Sequence, residues 1–213
     1  MKRIRKSFIA SMCLLTAFVL WTLAICFVDV RAIGPQGSSV GFAGINGFVH
    51  ILTGVHFSLY SITDWLGLVP IFVCMGFGIF GLVQWIKRKS IRKVDYDILV
   101  LGGFYIVTIA AYLFFESVVI NYRPVLINGY LEASYPSSTT LLVMCVMPTA
   151  IMQLGSRIKN KVLRNIIAVT IIAFITFMVI GRLISGVHWL TDIVGGTLLS
   201  AGLVMLYRAI IGL

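Results

Sequence analysis

The chain has 213 residues, of which 60% are hydrophobic and only 11% are charged, and its mean hydropathy is +1.04. A soluble globular domain has about 45–50% apolar and about 25% charged residues. The composition therefore excludes a protein that folds in water, and it predicts one membrane domain over residues 1–213. The formal net charge of +10 needs its own explanation.

Six apolar runs follow one another at lengths that suit a bilayer, in which a spanning helix needs about 20 residues. We predict an all-α bundle of six transmembrane helices, with spans at about residues 8–28, 65–86, 98–115, 140–154, 165–184 and 189–207. The basic start followed by an apolar run is also typical of a signal peptide. The run exceeds the usual signal core of about 7–15 residues, so an uncleaved first span is the favoured interpretation.

The segment between the first two spans, residues 31–64, is only moderately apolar and contains several Gly and Ser residues. Hydropathy allows two interpretations of it. The first is an outer loop with a short interfacial helix at about residues 48–62. The second is a re-entrant segment, which must be covered by protein or line a cavity.

Basic residues in short loops predict the orientation, because they concentrate on the cytoplasmic side. With both termini in the cytoplasm, fourteen of the 17 basic residues lie inside: Lys2, Arg3, Arg5, Lys6, Lys87, Arg88, Lys89, Arg92, Lys93, Arg157, Lys159, Lys161, Arg164 and Arg208. The net charge is thus a topology signal that suits anionic inner-leaflet lipid, and we predict no nucleic-acid partner. Small size and short loops favour a bacterial plasma membrane; the sequence makes no prediction of oligomeric state.

Polar motifs occur where the third to sixth spans reach the outer side. They are Asn121-Tyr122-Arg123-Pro124, residues 135–140, Gly181-Arg182 and residues 188–192. Arg123 and Arg182 stand at span ends, where a positive charge is costly and indicates function. All four motifs are predicted on one face of the membrane, as a single site requires.

The residue types in these motifs suit phosphoryl transfer. His188 and Asp192 are four apart, so they share a helix face, and Asp192 is predicted to accept a hydrogen bond from the imidazole. Arginine forks match phosphate oxygens. Ser137 and Ser138 supply hydroxyls at a helix start, which is an anion-binding arrangement. Taken alone, however, Pro136-Ser137-Ser138 would be an ordinary helix cap, and a lone interfacial histidine is more often structural.

The spacing from Arg182 through His188 to Asp192 resembles the third motif of the type 2 phosphatidic acid phosphatase superfamily: Ser-Arg, five residues, His, three residues, Asp. Arg123-Pro124 is similar to the end of its first motif, Lys, six residues, Arg-Pro. Pro136-Ser137-Ser138-Thr139 is similar to its second motif, Pro-Ser-Gly-His. The motifs cover roughly residues 97–208, and the predicted topology extends the resemblance to the whole chain.

The resemblance implies a metal-independent lipid phosphatase or phosphotransferase that needs no cofactor and acts at the outer face. Its substrate would be a lipid phosphate or a diphosphate, such as a polyprenyl diphosphate. It also implies roles for individual residues. His188 would attack phosphorus and form a phosphohistidine, with Asp192 orienting it. The phosphate-binding residues would be Arg123, Arg182, Ser137 and Ser138.

Two departures from the family pattern affect the proposed chemistry. Thr139 replaces a histidine that would protonate the leaving group, and such an acid typically contributes roughly 10²–10⁴-fold. Glu116 replaces the first-motif lysine, and a carboxylate there would repel phosphate or pair with an arginine. The sequence therefore supports two hypotheses. One is an enzyme; the other is a catalytically impaired member that binds phospholipid or polyprenyl phosphate headgroups.

Overall fold

A computed structural model describes residues 2–212 of the chain. Over these residues the chain forms eight α-helices: α1 Lys2–Phe27, α2 Ala43–Thr53, α3 Phe57–Leu66, α4 Leu68–Arg88, α5 Tyr96–Ser117, α6 Ser138–Arg157, α7 Lys161–Ile184 and α8 Leu190–Ile210. Six segments in the described part are long and apolar enough to cross a membrane, with α3 and α4 together forming one of them. The predicted all-helical bundle with six spans is confirmed.

Helices α6 and α8 form the centre of the bundle. In each of them 56% of the most apolar window is buried, compared with 6–28% in the other four candidate spans. The remaining helices surround this pair and present apolar side chains to the outside. Helix α1 approaches α8 closely because Gly202 has no side chain: Ser11 Oγ donates to Gly202 O across 2.8 Å. A Cβ at Gly202 would lie 2.7 Å from Leu15 Cδ2.

The segment between the first two spans differs from the single helix predicted at residues 48–62. It forms two helices, because Gly54 adopts a φ of +65° and interrupts the run. Helix α2 is anchored by Asn46, whose Nδ2 donates to Gly41 O and to Thr191 Oγ1 across 2.8 and 2.9 Å. Helix α3 packs on α7, where Thr63 lies against Gly181. The loop thus holds α3 beside the end of α7.

Helices α3 and α4 follow each other through Gly67, which has helical backbone angles. Together they span 32 residues. At about 1.5 Å per residue this exceeds the hydrocarbon core of a bilayer, which is about 30 Å thick. The outer part of α3 therefore extends beyond the length that a span requires, and it carries polar side chains next to α7.

At the end of the bundle where α4, α6 and α8 end, an ionic network joins α4, α5 and α6. Arg157 Nη2 lies 2.8 Å from Asp97 Oδ2, and Arg88 Nη1 lies 2.7 Å from Asp95 Oδ1. The Arg88 hydrogen bond is the main reason that the pKa of Asp95 is lowered. Gln84 also donates to Asp95 across 2.8 Å. These contacts hold the helix ends together opposite the polar motifs.

Candidate active site

The predicted polar motifs meet at one end of the bundle, where α5 and α7 end and α6 and α8 begin. Backbone hydrogen bonds tie these ends together. Ser137 N donates to Asp192 O across 3.1 Å, and His56 N donates to Ser185 O across 3.0 Å. The loop from α5 to α6 folds back on itself, with Arg123 N donating to Glu132 O across 3.0 Å. The motifs are therefore fixed by backbone contacts as well as by their helices.

His188 and Asp192 lie side by side, as their spacing predicts. His188 is 3% exposed and Asp192 is fully buried. The predicted hydrogen bond between them is absent, because His188 Nδ1 and Asp192 Oδ2 are 3.6 Å apart, which is too far. Oδ2 instead accepts hydrogen bonds from the Ser134 hydroxyl and, across 2.8 Å, from the Trp189 backbone N–H. The carboxylate is held by these two donors, and the imidazole lies next to it.

The imidazole of His188 is buried near two positive charges. Neither ring nitrogen makes a well-formed hydrogen bond with residues 2–212. Burial, followed by the charges of Arg123 and Arg182, lowers the pKa of His188 well below its ordinary value, and the Ser134 carbonyl opposes part of this shift. The ring is therefore neutral at pH 7. A neutral imidazole has the free electron pair that a nucleophile needs.

Arg182, at the end of α7, is 2% exposed and points into the site. Its Nη2 donates to Thr139 Oγ1 across 2.6 Å and to Asp64 Oδ1 across 3.1 Å. Its guanidinium stacks over the Tyr60 ring, with the carbon 4.9 Å from the ring centroid. Helix α3 thus supplies a counter-ion and an aromatic platform that the sequence analysis did not foresee.

Arg123, in the loop after α5, has a similar environment. Its Nε lies 3.1 Å from Glu132 Oε2, and its guanidinium carbon lies 5.9 Å from the centroid of the same Tyr60 ring. Arg123 is 9% exposed. The two arginines therefore share one aromatic side chain, and each has its own carboxylate partner. Glu116, which was expected to repel phosphate or pair with an arginine, makes no ion pair among the described residues.

Several buried polar atoms at this end have no well-formed hydrogen bond within residues 2–212. They are Nε and Nη1 of Arg123, Nε of Arg182, Nδ2 of Asn121, both ring nitrogens of His188 and Oδ1 of Asp192. Buried polar groups are normally paired, so such a cluster calls for a ligand or water. Most of these atoms are N–H donors, which suit an anion. No group of three His, Cys, Asp or Glu side chains in the described part could hold a metal.

Ser137 and Ser138 occupy different environments. Ser137 is the N-cap of α6: its Oγ accepts from Thr140 N across 3.5 Å and from Thr140 Oγ1 across 3.1 Å. The Ser137 hydroxyl therefore acts as an ordinary helix cap, which is one of the two interpretations of this motif. Ser138 lies at the first position of α6 and lines the cavities of the site. Thr139, which follows it, has its hydroxyl bound to Arg182.

Two cavities meet at the site. The smaller, of about 20 Å³, is lined by Glu116, Arg123, Ser138 and His188 among others. The larger, of about 550 Å³, lies between α4, α5 and α6, and we call it the apolar groove; its lining includes Asp64, Leu68, Ile71, Thr108, Thr139, Leu142 and Val146. Tyr112, Ser138 and Leu141 line both cavities. A small polar chamber therefore adjoins a larger, mostly apolar space.

Four residues of this site were not singled out from the sequence: Tyr60, Asp64, Glu132 and Ser134. One of them carried a usable signal, because Asp64 is an ionisable residue next to the second apolar run, which is a functional indication by default. The others are common polar or aromatic residues in loops and helix ends, and their spacing alone does not single them out.

The whole fold is similar to that of a solved membrane protein, a transmembrane PAP2-type phosphatidylglycerolphosphate phosphatase from Bacillus subtilis. The similarity has a TM-score of 0.64 and covers 95% of this chain and 96% of the other chain. Sequence identity is 17%, so the comparison shows a common fold. The molecule is thus an integral membrane protein with a PAP2-type phosphatase fold.

A family comparison goes further than the fold. The model of the PAP2 superfamily matches residues 74–212, about two thirds of the chain, including all the motifs described above. The chain belongs to the PAP2 superfamily. No protein in a curated collection matches it significantly.

Proposed function

We propose that the protein hydrolyses a lipid phosphate or diphosphate at the extracytoplasmic face of the membrane, with His188 as nucleophile. The observation that carries this proposal is the position of a buried, neutral imidazole near two arginines whose donors are incompletely paired. Such donors favour the charge that develops on a transferring phosphoryl group. The family of the chain supports a lipid phosphatase in general terms.

The reaction has two steps in this proposal. His188 Nε2, the nitrogen not directed at Asp192, attacks phosphorus, and the bond from phosphorus to the leaving oxygen breaks, which leaves a phosphohistidine. Water then attacks phosphorus, the P–N bond breaks, and inorganic phosphate leaves. Asp192 stabilises the positive charge of the imidazole during attack, and Ser134 and Trp189 hold its carboxylate in position.

The phosphate would lie where the two cavities meet, between Arg123 and Ser138, which line the small cavity, and Arg182, whose Nη2 binds Thr139 at the edge of the apolar groove. To bind there it displaces the carboxylates of Glu132 and Asp64 from the two guanidinium groups. Both carboxylates are partly exposed, at 41% and 59% of their side-chain surface. The phosphate replaces each carboxylate by another anion, so both guanidinium groups stay paired, now in arginine–phosphate contacts.

The charge distribution supports the proposed extracytoplasmic location. The basic residues concentrate at the end of the bundle opposite the site, and the positive-inside rule assigns that end to the cytoplasm. The lipid would enter with its hydrocarbon chain in the apolar groove and its phosphate toward His188.

Phosphate release by detergent-solubilised protein tests this function, with phosphatidic acid and a polyprenyl diphosphate as substrates. We expect release by the wild type and none by His188→Ala, while His56→Ala, a matched change outside the site, keeps wild-type activity. A phosphoprotein that is stable in alkali and labile in acid should accumulate when the reaction is quenched. Equal rates for wild type and His188→Ala would contradict the proposal.

The second hypothesis is a member that binds phospholipid or polyprenyl phosphate headgroups without hydrolysing them. Its support is the contact between Arg182 and the Thr139 hydroxyl, which cannot act as an acid near neutral pH. In the same assay, this hypothesis predicts no phosphate release from either substrate. It also predicts saturable binding of both lipids, which Arg123→Ala and Arg182→Ala weaken and His188→Ala preserves.

A further inference from the structure

Asp64 lies at the polar end of the apolar groove. It is close to the end of α3, and 59% of its side-chain surface is exposed. Its Oδ1 and Thr139 Oγ1 accept hydrogen bonds from the same atom, Arg182 Nη2, across 3.1 and 2.6 Å. Asp64 and Thr139 also line the same groove, together with Ser138. A carboxyl group is therefore present within a few ångströms of the side chain at position 139.

The two cavities determine where a scissile bond would lie. His188 and Arg123 line the small cavity, whereas the groove is larger and mostly apolar. A lipid phosphate that reaches His188 from the groove must pass the residues that line both cavities, which are Tyr112, Ser138 and Leu141. The oxygen between phosphorus and the lipid then lies beside these residues. Asp64 is on the groove side of it, which is the side that the leaving group occupies.

We propose that Asp64 is the proton donor to the leaving oxygen of the lipid. This inference rests on the proposed function and names the acid for that reaction. As His188 attacks and the bond from phosphorus to the lipid oxygen breaks, the Asp64 carboxyl gives its proton to that oxygen. The products are a lipid alcohol and an Asp64 carboxylate, which takes up a proton from water before the next turnover.

The binding of phosphate changes the partners of Asp64. In the free protein its carboxylate is paired with Arg182. A bound phosphate takes over the Arg182 donors, so the Asp64 carboxyl loses its ion pair and lies beside the phosphate. The charged group in contact with Asp64 is Arg182 from α7, and the other titratable groups that line the same groove are Tyr105 and Tyr112 from α5 and Cys74 from α4.

Dependence on the leaving group separates proton donation from a structural role. Phosphatidic acid has an alkoxide leaving group that needs a proton, whereas p-nitrophenyl phosphate has one that leaves without it. We expect Asp64→Asn to lower kcat for phosphatidic acid roughly 10²-fold or more, the contribution of a positioned acid. The rate with p-nitrophenyl phosphate should fall far less, because asparagine keeps an oxygen that accepts from Arg182, so the ratio of the two rates reports proton donation. Asp64→Glu should retain part of the phosphatidic acid activity.

Three results would overturn the inference. A loss of the same size on both substrates would mean that Asp64 only positions Arg182. A rate increase would mean that its carboxylate blocks the phosphate site. A selective loss with Tyr112→Phe, but not with Asp64→Asn, would assign the proton to Tyr112, which lines both cavities.

The proposed function can fail separately from this inference. If His188→Ala hydrolyses p-nitrophenyl phosphate as fast as the wild type, the histidine mechanism is wrong. If hydrolysis depends on His188 but Asp64→Asn shows no leaving-group effect, only the assignment of the acid is wrong. Thr139→His in the Asp64→Asn background gives a further test. A new acid at the neighbouring position should restore phosphatidic acid hydrolysis selectively.

Discussion

Arg182 Nη2 donates a hydrogen bond of 2.6 Å to the hydroxyl of Thr139. The side chain at position 139 is therefore in direct contact with a proposed phosphate ligand. The resemblance to the PAP2 motifs implies a histidine at this position. A larger side chain there would extend toward Arg182 and Asp64, at the polar end of the groove.

Thr139→His should raise the hydrolysis of lipid monoesters. A positioned acid contributes roughly 10²–10⁴-fold, and this is the upper limit of the gain. A diphosphate releases a phosphate, which is a weaker base than an alkoxide and needs a proton less. We therefore expect residual wild-type activity to favour lipid diphosphates, and the variant to narrow that preference. Phosphate release from phosphatidic acid and a polyprenyl diphosphate measures both effects.

The effect of Glu116 is tested in the wild type and in the Thr139→His variant. It lines the small cavity with Arg123, so its negative charge opposes a bound phosphate. Glu116→Lys should lower KM for both lipids. If Thr139→His, with or without Glu116→Lys, stays at the level of His188→Ala on both substrates, the headgroup-binding hypothesis replaces the catalytic one.

The buried imidazole of His188 predicts how stability depends on pH. Its pKa is lowered in the folded protein, whereas an unfolded histidine has a pKa of about 6.5. Below that pH the unfolded chain binds a proton at this histidine and the folded protein does not. The free energy of unfolding therefore decreases as the pH falls below about 6.5. The thermal unfolding temperature in detergent should decrease from pH 7.5 to 5.5. The decrease should be smaller in His188→Gln, which has no proton to bind; an identical decrease would show that other groups cause it.

Ser134→Ala should weaken catalysis without weakening substrate binding. The Ser134 hydroxyl donates to Asp192 Oδ2 in a buried position, and removing one partner of a buried hydrogen bond costs about 1–3 kcal/mol. If this loss of about 1–3 kcal/mol destabilises the transition state and not the bound substrate, kcat decreases roughly 5- to 150-fold while KM stays nearly constant. Ser117→Ala, which removes an exposed hydroxyl bonded within its own helix, is the control. A rise in KM alone would place Ser134 in substrate binding.

Gly186→Ala should destabilise the site because of a backbone contact. Gly186 has a φ of +69°, and an added Cβ would lie 1.9 Å from Gly54 O. Gly37 is a matched control, since it has a φ of +75° and nothing within 4 Å of its added Cβ. The left-handed conformation costs alanine about 1–2 kcal/mol at both positions. Any additional decrease in the free energy of unfolding of Gly186→Ala therefore reports the contact with Gly54. Unfolding of both variants in the same detergent measures it; equal losses would exclude the steric effect.

The orientation of the bundle is tested by reporters. A reporter fused to the C-terminus should behave as cytoplasmic, and a tag inserted within residues 127–133 should be accessible from outside. The physical reason is the concentration of Lys and Arg in loops on one side. An external C-terminus would put the site on the cytoplasmic face and contradict the proposed location of the reaction.

The sequence alone was sufficient to predict the six spans and to identify the motif from Arg182 to Asp192. Both are local properties: an apolar run long enough to cross a bilayer forms a helix in lipid, and a four-residue spacing puts two side chains on one helix face. That spacing predicted that His188 and Asp192 would be neighbours, but it did not determine their hydrogen bonds. Ser134, from a loop 58 residues away in the chain, binds Asp192.

The tertiary structure decided the partners of the two arginines. Asp64, which lies 118 positions before Arg182 in the chain, accepts its hydrogen bond. Tyr60, on the same helix as Asp64, has its ring next to both guanidinium groups. The sequence pointed to Glu116 as a possible partner, yet the contacts are with Asp64 and Glu132. Which carboxylate meets an arginine depends on how α3 packs and rotates against α7 and on how the loop after α5 folds. Those relations arise from contacts between distant segments, so no local pattern encodes them.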